Sequence, residues 1–189
     1  MLKIYTIFVS WYNAKMQKKV INEKSLETNE LIVKENSLLS GQFGVFSKKP
    51  FPKGQKLFLV KGPIKSKPSI YTLSAGLDKH VDPRKEDGSL DFGHYLNHSC
   101  DPNAVVKVVS GKNRNPYIKL LARRNIKKGE ELTFDYASLE YSTVINCACK
   151  CSAKKCRGVV YGFKDLPESV VQKYKKEGMI AKHLLDLIK

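Results

Sequence analysis

The sequence predicts a mostly β domain of short sheets, followed by a metal-binding cysteine segment and short C-terminal helices. Three observations lead there. Glycine and proline punctuate the first half so closely that only short apolar runs fit between turns. The clearest β signals, Ala104–Val109 and Tyr117–Ala122, flank a Gly-, Asn- and Pro-containing stretch, Ser110 to Pro116, that reads as a hairpin connection. Helical periodicity appears only late, after Pro167, where Val170, Val171 and Tyr174 share one face.

Taken in order, residues 1–28 read as an N-terminal extension. Its apolar run Ile4–Tyr12 imitates a secretory signal, but Thr6 and Ser10 interrupt it and no small-x-small cleavage pattern follows cleanly. A start at Met16 explains the segment equally well. No apolar run approaches the roughly 20 residues needed to span a bilayer, so an intracellular, membrane-free monomer is expected. Leu31-Ile32-Val33 opens a sheet, and the glycine-punctuated Gly41–Phe46 follows it. Pro50, Pro52 and Gly54 mark turns before a strand over Lys56–Val60, which Gly62-Pro63 closes. A further strand is expected over Tyr71–Leu77, then a polar loop over Asp82–Ser89. Ile126–Glu131 turns the chain into a last strand, Leu132–Tyr136. Pro167 suits the first helical position, Gly178 ends that helix, and Ile180–Ile188 supplies a second. At 189 residues the chain fits one compact domain with extensions.

The charge is 34 − 18 = +16. Such a balance favours polyanions or an acidic partner, although a Lys-, Ile- and Asn-rich composition also arises from genomic base bias. Lys107 to Lys128 holds eight basic residues and no acidic one, which fits nucleic acid or chromatin as well as a solvated face. Nine of the eighteen acids fall instead in Asp78–Asp91 and Glu130–Glu140, where a cationic substrate is expected to approach.

Of five cysteines, Cys100 stands alone and Cys147, Cys149, Cys151 and Cys156 crowd into ten residues. A disulfide framework spreads its cysteines and uses an even number; Cys-x-Cys with a third nearby is metal-ligand spacing, and zinc suits it. Three thiolates within eight residues cannot form a two-plus-two finger, so a distant fourth ligand is expected. Cys100 closes a run that packs an amide, an imidazole, a hydroxyl and a thiol into four consecutive positions, Asn97-His98-Ser99-Cys100, just before the turn signal Asp101-Pro102-Asn103.

That cluster resembles the Asn-His-Ser-Cys motif of the SET-domain lysine methyltransferases, and other motifs from Gln42 to Phe163 follow in family order. Gln42-Phe43-Gly44-Val45-Phe46 is similar to the glycine motif whose backbone lines the S-adenosylmethionine (SAM) site, with Gly41 one position early for the first glycine. Glu131-Leu132-Thr133-Phe134-Asp135-Tyr136 matches the closing motif, and Cys149-x-Cys151-x4-Cys156-Arg157-Gly158 matches the post-SET pattern. His94-Tyr95-Leu96 departs from the usual Arg-Phe-Ile, and Val60 stands where some relatives carry a second active-site tyrosine.

The resemblance implies a β-clip SET fold with knot-like C-terminal threading, a SET domain over residues 29–140, a post-SET zinc segment over 141–163 and a helical tail over 164–189. It implies SAM as methyl donor and one structural zinc ion held by Cys100, Cys149, Cys151 and Cys156, with Cys147 surplus or a competing ligand. Phe43, Gly44, Tyr71, Asn97, His98, Tyr136 and Tyr161 become cofactor-side residues, and Tyr136 becomes the catalytic tyrosine. Phe134 falls at the substrate-channel site tied to methylation state, where Phe favours products beyond monomethyl-lysine. The implied reaction is methyl transfer to a lysine amine of a protein substrate, a histone or another basic protein. Two rivals are a non-enzymatic SET module, disfavoured by the intact Asn97, His98 and Tyr136, and a zinc-stapled nucleic-acid-binding protein, which predicts salt-sensitive binding and no SAM site.

Overall fold

Alternation along Leu31-Ile32-Val33 buries Leu31 and Val33 on one side of a strand, and in a computed structural model that strand starts the first of four small sheets among the described residues. The structure describes residues 26–36, 41–85, 87–111, 114–145 and 147–188; the Ile4–Tyr12 run and Met16 lie outside the described residues. β1 (Leu31–Glu35) pairs antiparallel with β2 (Phe43–Ser47), so Gly44 sits inside a strand while Gly41, at φ 79°, makes the turn into it.

The largest sheet has the order β3–β9–β8, from β3 (Lys56–Val60), β8 (Ala104–Gly111) and β9 (Arg114–Ala122). Both hairpin strands run further than their β-branched cores suggest, and Pro116 falls within β9. Proline cannot donate to a ladder. The cost is avoided because Pro116 lies beside a register irregularity between Val109 and Gly111, beyond the reach of the β3 pairing.

A third sheet, β4–β6–β5, is built from β4 (Ile64–Lys65), β5 (Leu73–Ser74) and β6 (His80–Val81). Only two residues of the expected Tyr71–Leu77 strand pair. Thr72 is spent on a turn with Ser69, and the Ala75 N–H returns to the Lys79 carbonyl, so the ladder stops on both sides.

The fourth sheet organises the site. β7 (Asn97–His98) pairs parallel with β10 (Thr133–Phe134), in register Asn97–Thr133 and His98–Phe134. The expected strand to Tyr136 ends at Phe134 because the Asp135 carboxylate accepts the Ala137 N–H and starts a 3-10 turn, Tyr136–Ser138. At the C-terminal end, α1 (Glu168–Lys176) begins one residue after Pro167 and stops at Gly178, whose φ of 63° suits glycine. α2 (Lys182–Leu185) is shorter than the apolar run that predicted it. Tyr174, Met179 and Leu184 from this tail join Val45, Val60, Ile118, Leu120 and Leu132 in one buried cluster, so the tail belongs to the core. Among the described residues no helix is long and apolar enough to cross a membrane.

Candidate active site and metal centre

The segment Glu130–Leu132 runs alongside β2: the Leu132 N–H donates to the Val45 carbonyl at 2.7 Å, and Glu131 bridges to Phe46. This places the Glu131 carboxylate under Gly44, where a Cβ on residue 44 would stand 2.2 Å from Glu131 Oε1. Asn97 Nδ2 donates to the Phe43 carbonyl (2.9 Å) and to Glu131 Oε1 (2.6 Å), while Gln42 Nε2 donates to Asn97 Oδ1 (2.8 Å). Asn36 Nδ2 donates to the other Glu131 oxygen at 2.6 Å. Burial pushes the Glu131 carboxyl upward, and the donors Asn97 and Asn36 oppose it. Phe43, Gly44 and Asn97 are thus brought together as expected, through Gln42, Asn36 and Glu131, which sequence reasoning did not single out as site residues.

One strand residue further, His98 lies between two groups. The Tyr136 N–H donates to His98 Nδ1 at 3.3 Å, which leaves the ring proton on Nε2, directed at Cys100 Sγ 3.3 Å away. Burial lowers the His98 pKa to about 4, with Asp135 opposing and Arg157 reinforcing the shift, so the ring is neutral at pH 7. Tyr136 packs edge-on against His98 (5.2 Å between centroids) and tilted against Phe134 (5.0 Å). Its hydroxyl donates to the Leu96 carbonyl at 2.9 Å, and burial raises its pKa well above that of free tyrosine. The phenol is therefore held neutral, with its oxygen lone pairs uncommitted by that bond.

Behind Tyr136, the Asp135 carboxylate is fully buried. Arg157 binds it through both terminal nitrogens (2.7 and 2.9 Å), the Tyr174 hydroxyl donates at 2.6 Å, and the Ala137 N–H at 3.1 Å. Burial by itself would lower the Arg157 pKa; the Asp135 pairing outweighs it and raises it. A buried carboxylate needs such saturation. Arg157 stood in the post-SET pattern and Tyr174 on a helical face, but neither pattern announces the Asp135 contact, because each residue meets a partner far away in sequence.

The sulfur atoms of Cys100, Cys149, Cys151 and Cys156 all lie within 4.8 Å of one another. Zinc–thiolate bonds of about 2.3 Å in a tetrahedron require sulfur–sulfur edges of about 3.8 Å, and the Cys100–Cys149 separation is 3.8 Å. Backbone N–H groups point at the sulfurs: Cys100 N to Cys151 (3.4 Å), Arg157 N to Cys100 (3.5 Å) and Gly158 N to Cys156 (3.4 Å). These are the donors thiolates need. The donor set fits a four-coordinate thiolate ion, with Cys147 outside it. The Cys147 backbone serves elsewhere, its carbonyl accepting the Val160 N–H beside the Ala148–Val159 bridge that folds the cysteine segment.

Two cofactor-side expectations do not join this cluster directly. Tyr71 stacks on His94, 4.1 Å between centroids, and His94 in turn packs edge-on against Tyr95. Tyr161 is half-buried, and among the described residues no hydrogen bond or ring contact ties its side chain to the others. The acidic segments need a correction as well. Asp82 is paired with Arg84, Asp91 caps a 3-10 turn, Glu130 meets Arg124, and Glu131, Asp135 and Glu140 are consumed internally. Asp91, Glu131, Asp135 and Glu140 thus satisfy buried or half-buried donors, whereas Asp82 and Glu130 pair with exposed arginines. Asp78 and Asp87 stay exposed, so only part of the two segments presents acid to an approaching substrate.

The family model for the SET domain matches residues 42–137. Histone-lysine N-methyltransferase ATX2 of Arabidopsis thaliana is 34% identical over 131 residues, which cover 62% of this chain and 12% of ATX2. SUV39H2 of Xenopus tropicalis, also a histone-lysine N-methyltransferase, is 47% identical over 84 residues, or 36% of this chain and 21% of SUV39H2. The chain thus matches only a small part of each relative's length. Among solved structures, KRYPTONITE in complex with mCHH DNA, H3(1-15) peptide and SAH is similar with a TM-score of 0.56 and 26% identity, over 74% of this chain and 31% of that one. The methyltransferase domain of human SETMAR shares the fold, with a TM-score of 0.53 and 22% identity over 68% of this chain and 56% of that one.

Proposed function

Because the chain belongs to the SET-domain family, we propose that it transfers methyl groups from S-adenosylmethionine to a lysine amine of a protein substrate, a histone or another basic protein. The observation that carries this reading is the parallel pairing of Asn97–His98 with Thr133–Phe134, which gathers Phe43, Gly44, Asn97, His98, Phe134 and Tyr136 around one place. SAM, when bound, supplies a sulfonium methyl group open to in-line displacement by a neutral amine. Phe43, Gly44, Asn97 and His98 form its side of the site, with Tyr71 and Tyr161 as outlying members.

The acceptor must arrive without its proton, which costs about 4–5 kcal/mol at pH 7 for a lysine of ordinary pKa. Tyr136 is unsuited to take that proton as a phenolate, since burial keeps the group protonated. Its part is orientation: the bond to the Leu96 carbonyl fixes the hydroxyl, and the oxygen lone pairs are aimed by the same bond. The Phe134 ring beside it carries no hydroxyl to hold a water, which suits products beyond monomethyl-lysine. One zinc ion on Cys100, Cys149, Cys151 and Cys156 would tie the cysteine segment to the motif that bears His98.

A nucleic-acid or chromatin contact is supported by the stretch from Lys107 to Lys128, which holds eight basic residues and no acidic one.

The decisive experiment offers labelled SAM and a mixture of basic proteins to the wild-type chain and to Tyr136→Phe, with mass spectrometry of the modified residue. Di- or trimethyl-lysine from wild type and a loss of roughly 100-fold or more in Y136F, with SAM binding kept, is expected. Equal transfer by both proteins refutes the assignment of Tyr136.

A further inference from the structure

The proposed chemistry leaves the tail beyond residue 164 without a task, yet the tail delivers a donor to the residue next to the catalytic tyrosine. We propose that Tyr174 of α1 is a positioning residue of the methyl-transfer site, acting through the Asp135 carboxylate; this rests on the methyltransferase reading above. Tyr174 is 2% exposed, and its hydroxyl donates to Asp135 Oδ2 at 2.6 Å. A short bond from a hydroxyl to a carboxylate is among the stronger hydrogen bonds in proteins.

Asp135 is the point where three segments meet. Arg157 reaches it from the cysteine segment, Tyr174 from the tail, and Ala137 from the turn that Tyr136 begins. The same carboxylate therefore caps that turn and receives the tail. Its orientation sets the backbone from which the Tyr136 phenol departs, and the adjacent Tyr136 N–H is the group that meets His98. Two more tail contacts fall on the residues just after: the Ala181 N–H donates to the Ser138 carbonyl at 2.9 Å, and the His183 ring donates to the Leu139 carbonyl at 2.9 Å. Arg123 to Glu177, and Lys107 to the Gly178 carbonyl, anchor the tail on β8 and β9. Apart from a longer contact of the Tyr174 hydroxyl with the Cys100 carbonyl at 3.4 Å, the tail's polar contacts near the site converge on Asp135 to Leu139.

A merely structural role and a positioning role separate experimentally. Tyr174→Phe keeps the buried ring and removes the donor. Val171→Ala, on the same buried face of α1, loosens packing without removing the Asp135 donor. For Y174F the expected result is a drop in kcat of roughly tenfold with KM for SAM nearly unchanged, as for an interaction that matters in the transition state. Amide hydrogen exchange at Tyr136 and Ala137 should quicken roughly tenfold in Y174F, while the β8–β9 amides stay protected. V171A should lower the thermal midpoint without either change.

Unchanged exchange at Tyr136 and Ala137 in Y174F overturns the proposal, whatever the activity. So does an equal fall in kcat in Y174F and V171A once both are compared at matched stability. A Y174F chain that fails to fold also overturns it, because Tyr174 is then a core residue only. A wild-type chain that transfers no methyl group refutes the enzyme reading instead, and the exchange comparison still judges the contact.

Discussion

Gly44→Ala is a one-methyl change with a large expected effect. The added Cβ would lie 2.2 Å from Glu131 Oε1 and 3.0 Å from Asn97 Nδ2. Ordinary contact distances are near 3.5 Å, so something must move by about 1 Å. Glu131 is the flexible partner, but swinging it away surrenders the bonds from Asn97 and Asn36, both at 2.6 Å. Hydrogen bonds to a charged group contribute about 1.5–3 kcal/mol each, and partial rehydration recovers some of that, which leaves a loss of about 2–4 kcal/mol. With a urea slope near 2 kcal/mol/M, the midpoint falls by about 1–2 M. SAM binding should weaken in parallel, because the same movement releases Asn97 from the Phe43 carbonyl. The double-mutant cycle is the sharper assay. In an E131A background the obstacle is gone, and G44A should cost less than about 1 kcal/mol. Additive losses in the double mutant would refute the reasoning.

Two other predictions concern the metal and pH. The chain should bind one zinc ion; Cys147→Ser should leave that affinity intact, while Cys156→Ser should lower it by more than about 100-fold, as read by competition with a chromogenic chelator. The reverse ranking would place Cys147 in the ligand set. Burial, helped by Arg84, lowers the His94 pKa to about 4, and among the described residues its Nδ1 has no hydrogen-bond partner. Between pH 6.5 and 4 the unfolded chain therefore binds the proton that the folded chain refuses. Stability present above pH 6.5 is lost on acidification, by about 3 kcal/mol from this group. His94→Phe keeps a ring against Tyr71 and should flatten that part of the acid slope in denaturation midpoints; an unchanged slope rejects the assignment.

Much of the fold was legible because β-branched runs between turns leave few options, as at Ala104–Val109 and Lys56–Val60. Boundaries failed where a side chain competed with the ladder: Asp135 ended the last strand and Thr72 truncated the fifth. In the site, the motif residues and the four cysteines stood out as local patterns. The roles of Glu131, Arg157 and Tyr174 did not show in the patterns that contain them, because those roles are long-range hydrogen bonds that no period or spacing announces. The acidic segments misled for a related reason. A carboxylate looks the same in sequence whether it faces water or, like Glu140, bonds the Ser74 hydroxyl and backbone inside the domain.

The parallel pairing of β7 with β10 also has a consequence for biogenesis. Hairpins such as β8–β9 close locally and can form early, whereas parallel partners separated by a whole hairpin must wait for slow loop closure. The contacts that finish the site reach later still, from Cys100 to Cys149 and from Asp135 to Tyr174. During synthesis the β8–β9 hairpin can therefore form while the proposed site is still open, its last brace arriving only after residue 174 has left the ribosome. A chain stalled before residue 174 would lack both the Tyr174 brace on Asp135 and the tail's share of the buried core.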